Sequence, residues 1–188
     1  LMFGSRRRVP VHFGTHGRKG IRLAVRIADG IRVAGQWATG YMEQVRGWVE
    51  EAAAEYDRDL SQFQLITENW TYLHTDRELA RREARRLVAN FLPHLGPMLG
   101  FYRISQDEVD AAHAASVHGD TDALSRIRDE TIDLFMAAGD ADDLRKGLDR
   151  WQNAGFHAVS FSGALGPDTS LALQIIGDEI TRRRALHS

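Results

Sequence analysis

The chain has 188 residues, 43% of them hydrophobic and 27% charged, with a formal net charge of −2 and no cysteine. That composition belongs to a folded globular domain, and the small net charge gives no reason to expect an acidic partner such as nucleic acid. Without cysteine there is neither a disulfide framework nor a thiolate metal site, which suits a reducing cytoplasm; no apolar run approaches the roughly 20 residues that span a bilayer, and the N-terminus has no signal-peptide core.

After the basic run Arg6, Arg7, Arg8, the residues Val9, Val11 and Phe13 alternate with Pro10 and His12, which predicts a strand. Gly14, Gly17 and Gly20 punctuate a basic turn, and Ile21, Ala24, Ile27 and Ala28 follow at helical spacing. Asp29-Gly30 ends that helix, and Ile31 and Val33 resume extended chain, completing a parallel βαβ unit. Thr39 and Gly40 open a second helix with Tyr41, Val45, Trp48, Val49, Ala52 and Tyr56 on one stripe. The run Phe63 to Leu73, rich in aromatic and β-branched residues, predicts a third strand before a capping Asp76. The next helix places Leu79, Ala80, Ala84, Leu87, Val88 and Phe91 opposite Arg81, Arg82, Arg85 and Arg86, a solvated basic face, and Pro93 marks its end.

From His94 to Ala138 the alternation breaks into a mostly helical excursion with a capping-box spelling, Ser105-Gln106-Asp107-Glu108. Asp140 then caps a helix carrying Leu144, Leu148 and Trp151, with Gly155 as its stop. A fourth strand, FHAVSFS, leads into GALGPD and a last helix that uses Leu173, Ile176 and Ile180, capped by Asp168 or Thr169. The organisation is one domain: βα units over residues 9–93, the excursion over 94–138 and a terminal unit over 139–182. Four strands alternating with helices imply a parallel α/β sheet, and a doubly wound sheet or part of a barrel fits equally.

Eight histidines carry no HExxH or comparable ligand spacing, so no metal site is expected. Ser160 and Ser162 lack the GxSxG elbow of a serine hydrolase, and the glycine turn is neither GxGxxG nor a Walker sequence. Trp48, Trp70 and Trp151 read as core, whereas Trp37, in a loop after a strand, is placed to line a pocket. Arg32 points to either side of the sheet depending on register.

Two stretches carry a family resemblance. PVHFGTHGRKGIRLAVRIADGI resembles the segment of luciferase-like flavin oxidoreductases in which a Pro-Val strand leads to a small-residue turn, a helix and Ala-Asp-Gly. MAAGDADDLRKGLDRWQNAGFHAVSFSGALGPDTSLALQIIGDEI resembles the C-terminal end of that family, with its capped helix, Ala-Gly pair, strand and Gly-Pro-Asp turn. The resemblance is closest to the coenzyme F420-dependent methylenetetrahydromethanopterin reductase type.

It implies the C-terminal half of a luciferase-like TIM (β/α)8 barrel: four parallel strands with a helical insertion, since a full barrel takes about 250 residues. The first half, with the cofactor ring site and much of the catalytic equipment, is expected to precede Leu1, so no catalytic residue is carried over. The implied cofactor is F420 or FMN, acting in hydride transfer or monooxygenation on a small-molecule substrate. The implied cofactor-phosphate turn is Gly14, Thr15, His16, Gly17 and Arg18, where the family often has two alanines in place of Gly14-Thr15 and proline in place of Arg18. Small residues there let backbone N–H groups approach an anion at a helix N-terminus. The turns at Gly35 to Thr39 and Gly163 to Asp168 complete the strand ends, with Asp168 read as a helix cap. A half barrel exposes two strand edges, which predicts a homodimer or a complementary N-terminal half, or else a non-catalytic half-barrel subunit that needs a partner chain.

Overall fold

A computed structural model describes residues 8–34, 39–96 and 98–186. Its elements in chain order are β1 (His12–Gly14), α1 (Arg18–Ile27), β2 (Gly30–Ala34), α2 (Thr39–Tyr56), β3 (Gln64–Leu73), α3 (Arg77–Phe91), α4 (Met98–Phe101), α5 (Gln106–His118), α6 (Asp129–Phe135), β4 (Met136–Gly139), α7 (Ala141–Asn153), β5 (Ala158–Leu165) and α8 (Thr169–Leu186). Short 3-10 segments follow α3 and α5, at Leu92–His94 and Thr121–Arg126.

All five strands are parallel, one more than the four expected. The additional strand, β4, lies at the end of the segment read as helical. Residues Ile66, Thr67 and Glu68 pair with β2 and β5 at once, and Trp70 and Tyr72 pair with β4 and β5 at once. Therefore β5 occupies one edge of β3, while β2 and then β4 share the other, end to end. The path β1-β2-β3-β5 contains the four expected strands, and β4 continues the line of β2 along the upper half of β3.

Period-two alternation sorts the two faces of this sheet. Phe13, Ile31, Val33, Leu65, Leu73, Val159 and Phe161 pack with α1, α2, α7 and α8 in one core. Trp70, Tyr72, Met136 and Ala138 pack on the opposite face with α3, α5 and α6. Among the described residues only the upper end of that second face is covered, and its lower part, from β1 across to β5, is open.

The excursion is fastened by charge. Arg81 on α3, read as solvated, is only 2% exposed and donates to Asp129 and Asp133 at 2.9 Å and to the Ala138 carbonyl at 3.2 Å. Asp129 and Asp133 stand one turn apart on α6, so both carboxylates meet one guanidinium and α3 is tied to α6 and β4. Arg85 joins the network through Asp129 and the Ile127 carbonyl. The expected capping box at Ser105 is present, and Glu108, 1% exposed, also accepts from Arg128 Nη2 at 2.9 Å and from Thr131. Burial works to raise the Glu108 pKa, but the bonds from Arg128, Thr131 and Ser105 outweigh it and hold the carboxyl at about 2.

The last helix is rotated from its expected setting. Leu173 and Ile180 are 54% and 40% exposed, while Ala172, Ile175 and Ile176 face the core. Glu179 shares that buried side because Arg145, Arg182 and Arg183 converge on it, and the Arg182 bond above all lowers its pKa to about 2. Asp168 caps α8 through the Leu171 N–H at 3.1 Å.

The Ala-Asp-Gly sequence after α1 works at the opposite end of the strands from the turns. Asp29 Oδ2 accepts from Val11 N at 2.8 Å and Asp29 N donates to the Val11 carbonyl, locking the start of β2 to the chain entering β1. A Cβ on Gly30 would lie 2.4 Å from the Gln64 carbonyl oxygen on β3. The Gly30→Ala variant is expected to lose about 1–3 kcal/mol of stability through overpacking against backbone. Gly47→Ala, on an open stretch of α2, is expected to gain about 0.5–1 kcal/mol instead. Thermal denaturation of the two proteins checks the opposite signs. Glu108 and Glu179 also set an acid limit. Their folded pKa values of about 2 lie below the ordinary 4.5, so their stabilisation is complete above the ordinary value and lost as pH falls through the folded one. Denaturant midpoints should drop steadily between pH 4.5 and 2, and Glu108→Gln should flatten that slope.

Candidate functional site

The turn from β1 into α1 begins where Gly14 leaves the sheet. Thr15 N donates to the Arg32 carbonyl at 3.2 Å, so the turn is held against β2. Gly17 caps α1 with extended backbone and no side-chain hydrogen bond, and no acidic residue stands in the first helical turn. The N–H groups that open a helix have no partner within it, and here no side chain of the cap takes one. A Cβ added at Gly14 or at Gly17 meets no atom within 4 Å, whereas one at Gly20 would fall 2.0 Å from Thr15 Oγ1. The first turn of α1 thus packs Gly20 directly against the Thr15 side chain, while Gly14 and Gly17 leave a side-chain-free cradle.

The cradle is held from behind. Tyr41 on α2, 4% exposed, donates its hydroxyl to the His16 carbonyl, and burial pushes its pKa up to about 12, keeping the donor protonated. A trans peptide sets C=O and the following N–H on opposite sides, so this bond turns the Gly17 N–H away from α2. Tyr41 packs against Trp48 and Tyr102, at ring distances of 6.3 and 6.1 Å. The helical excursion therefore touches the turn through one aromatic step. Desolvation by the surrounding protein lowers the His16 pKa, which favours the neutral ring. Arg18 does not aim its charge into the cradle, because its guanidinium pairs with Glu51 on α2. That pair, with Arg22–Glu55, spans a groove of ≈ 310 Å³ between α1 and α2 on the helix layer.

The open sheet face carries polar chemistry. His12 and Gly14 on β1, Arg32 on β2, Glu68 on β3 and Ser160 and Ser162 on β5 share it, by alternation from the core residues named above. His12 Nε2 lies 2.9 Å from Gln64 Oε1. Arg32 Nη1 pairs with Glu68 Oε2 at 3.2 Å, and the two side chains stay 45% and 31% exposed. Register thus settles the side to which Arg32 points. The pair joins diagonal neighbours, since Arg32 stands opposite Ile66 and Glu68 opposite Ala34.

The other strand ends are structural. The Gly166 backbone, at φ 147°, passes so close to β3 that a Cβ would lie 2.4 Å from the Leu73 carbonyl oxygen. With Asp168 capping α8, the Gly-Pro-Asp turn closes β5 onto the end of β3. Most of the turn after β2, with Trp37, lies outside the described residues. Trp70 stacks on Phe91 at 3.6 Å and Trp151 is 1% exposed, both in the cores as expected.

Residues 3–158 match the family model of the luciferase-like monooxygenases. The chain is 26% identical over 178 residues to 5,10-methylenetetrahydromethanopterin reductase of Archaeoglobus fulgidus, covering 92% of this chain and 53% of that protein. It is 26% identical over 175 residues to the same-named reductase of Methanopyrus kandleri, covering 92% and 50%. The chain spans about half the length of the curated relatives it matches. The solved structure of the coenzyme F420-dependent tetrahydromethanopterin reductase from Methanopyrus kandleri superimposes with a TM-score of 0.81 at 23% identity, over 90% of this chain and 49% of that one. An F420-dependent secondary alcohol dehydrogenase follows at 0.65 and 22%, over 92% and 48%. The fold is therefore a parallel α/β sheet of the luciferase-like TIM-barrel kind. With the family model matching most of its length, the chain belongs to the luciferase-like monooxygenase family.

Proposed function

We propose that this chain is the C-terminal half of a luciferase-like oxidoreductase resembling the F420-dependent methylenetetrahydromethanopterin reductases, and that it binds the phosphate end of F420 or FMN at the turn after β1. The observation that carries this reading is the cradle itself. Gly14 and Gly17 lack side chains at positions where a Cβ would meet nothing in the protein, beside an uncapped helix N-terminus. When bound, the cofactor would supply the hydride or oxygen chemistry. Within the chain, Gly14, Thr15, His16 and Gly17 would hold the phosphate through backbone and hydroxyl donors, with Arg18 contributing its backbone N–H. Tyr41 fixes the orientation of the His16–Gly17 peptide. The polar open face, with Ser160, Ser162 and the Arg32–Glu68 pair, would line the interior and orient a small-molecule substrate.

Closure needs another body. β1 and β5 each keep one edge without a strand partner among the described residues. Val9, Val11, Leu23 and Ile27, all in the first βα unit, are 70%, 58%, 43% and 58% exposed. Leu23 and Ile27 lie around α1 from Arg18 and Arg22, which reach α2, so this apolar stripe faces away from the neighbouring helix. A complementary N-terminal half, or a second copy of the chain, would cover both the edge and the stripe. The competing reading, a half-barrel subunit that has lost turnover, rests on the same free edges and differs in binding no cofactor.

Fluorescence titration with F420 and with FMN tests the cofactor assignment. Saturable binding to the wild type that Gly14→Val weakens about tenfold or more, with an unchanged melting temperature, is the expected result. Binding of neither cofactor would leave the non-catalytic reading. Light scattering should return a mass of at least two chains, or a monomer that binds an apolar dye. A dye-silent monomer contradicts the need for a partner.

A further inference from the structure

The turn after β1 is short of a committed cation, because Arg18 is engaged by Glu51 on the helix layer and His16 is held towards its neutral form. The strand register supplies one from elsewhere. Gly14 is the direct partner of Arg32 on β2, and both belong to the open face, since the preceding pair, Phe13 and Ile31, turns into the helix-side core. Gly14 has no side chain, and a Cβ there would meet nothing within 4 Å, so β1 places nothing between Arg32 and the space at the turn. The Thr15 N–H bond to the Arg32 carbonyl fixes the turn to this one position of β2.

The guanidinium itself has capacity to spare. Its pair with Glu68 is a single contact, Nη1 to Oε2 at 3.2 Å, and 45% of the side chain is exposed. Arginine offers five N–H donors in a fixed fork, so one monodentate contact leaves a second edge able to take an anion. Inward positions of barrel strands are ordinarily filled by Val, Ile and Leu. An arginine there, once enclosed, faces a desolvation cost that one glutamate at this distance offsets incompletely.

We propose that Arg32, steadied by Glu68, is the cation of the phosphate turn and contacts the ligand phosphate across Gly14. This rests on the cofactor reading above and adds to it a residue from the neighbouring strand. Glu68 has a double role: it holds the guanidinium in place when the turn is empty and competes with the phosphate for it when the turn is filled. The two partners therefore have opposite effects on affinity. Arg32→Met removes the attraction, whereas Glu68→Gln removes the competitor.

The test is calorimetric titration of the whole chain with inorganic phosphate, with FMN, with riboflavin, which has the same ring without the phosphate, and with succinate as a carboxylate probe. Arg32→Met should weaken FMN about tenfold or more, the loss of one charge-assisted hydrogen bond, and cut the preference for FMN over riboflavin by the same factor. Glu68→Gln should tighten phosphate and FMN about threefold and leave riboflavin unchanged. Arg22→Met removes one positive charge from the outer groove and should alter none of these. If Arg32→Met keeps the FMN preference undiminished, or the Arg32 and Glu68 variants shift affinity in the same direction, the pair is only a structural cross-strand bond and the proposal fails while the cofactor reading stands. Tighter binding of succinate than of phosphate would assign the arginine to a substrate carboxylate and overturn the phosphate assignment. A wild type that binds no phosphate-bearing ligand overturns both readings.

Discussion

The hydrogen bonding of β3 on both edges is the constraint on which the rest depends. β5 runs along one side from Ile66 to Tyr72, while β2 and β4 share the other side in succession. With both edges taken, β3 cannot slip by one residue without exchanging its two faces. Leu65 and Leu73 are thereby committed to the helix layer, and Glu68 and Trp70 to the opposite side. Between the two leucines lies a buried polar run, Thr67, Asn69 and Thr71, at 1%, 0% and 0% exposure. It is bonded within itself, Asn69 Nδ2 donating to Thr67 Oγ1 and Thr71 Oγ1 to the Asn69 carbonyl, and Ser162 Oγ adds a bond from β5. Those first two bonds join residues two apart on one strand and would survive a slip, so the register is set by the leucines and by the two paired edges, while the run meets part of its own hydrogen-bonding need where it is buried.

The excursion divides the face opposite the helix layer into two territories. Where Trp70 and Tyr72 meet α3, and Met136 and Ala138 meet α6, it is ordinary core. Lower down, among the described residues, it is polar and open. The boundary is fixed by ion pairs rather than by apolar area alone, since Arg81 and Glu108, both nearly fully buried, draw their partners from separate segments. Removing one partner from such a cluster leaves an uncompensated buried charge. The same excursion supplies Tyr102, whose contact with Tyr41 carries its packing to the His16 carbonyl.

Much of this was legible in the residues. Alternation in β1, β2 and β3, the caps at Asp76, Ser105, Asp140 and Asp168, and the parallel βα order all follow from local pattern, as does the family resemblance. β4 was not legible: Met136-Ala137-Ala138-Gly139 has no β-branched residue and follows a helix directly, and it becomes a strand because the upper edge of β3 is free to receive it. Arg81 looked solvated because its acidic partners stand 48 and 52 residues away on α6. Leu173 and Ile180 looked buried because a periodic count cannot know that three arginines draw Glu179 inward. The Arg32–Glu68 pair depends on the pairing of β2 with β3, which no local signal specifies. Its members were visible as residues but not as neighbours.

The pairing of β3 with β5 also has a temporal side. The contact between Leu65 and His157 closes a loop of 92 residues, with the whole excursion and α7 inside it. Pairings of that separation form slowly, because the chain between them must be ordered before they return any stabilisation. During synthesis β3 emerges before the excursion, α7 and β5, so one of its edges waits unpaired while the segment between them is made, an opening for wrong strand partners. β5 is thus the strand that takes the second edge of β3, and its Val159 and Phe161 join the helix-side core only after that edge has waited through the whole excursion.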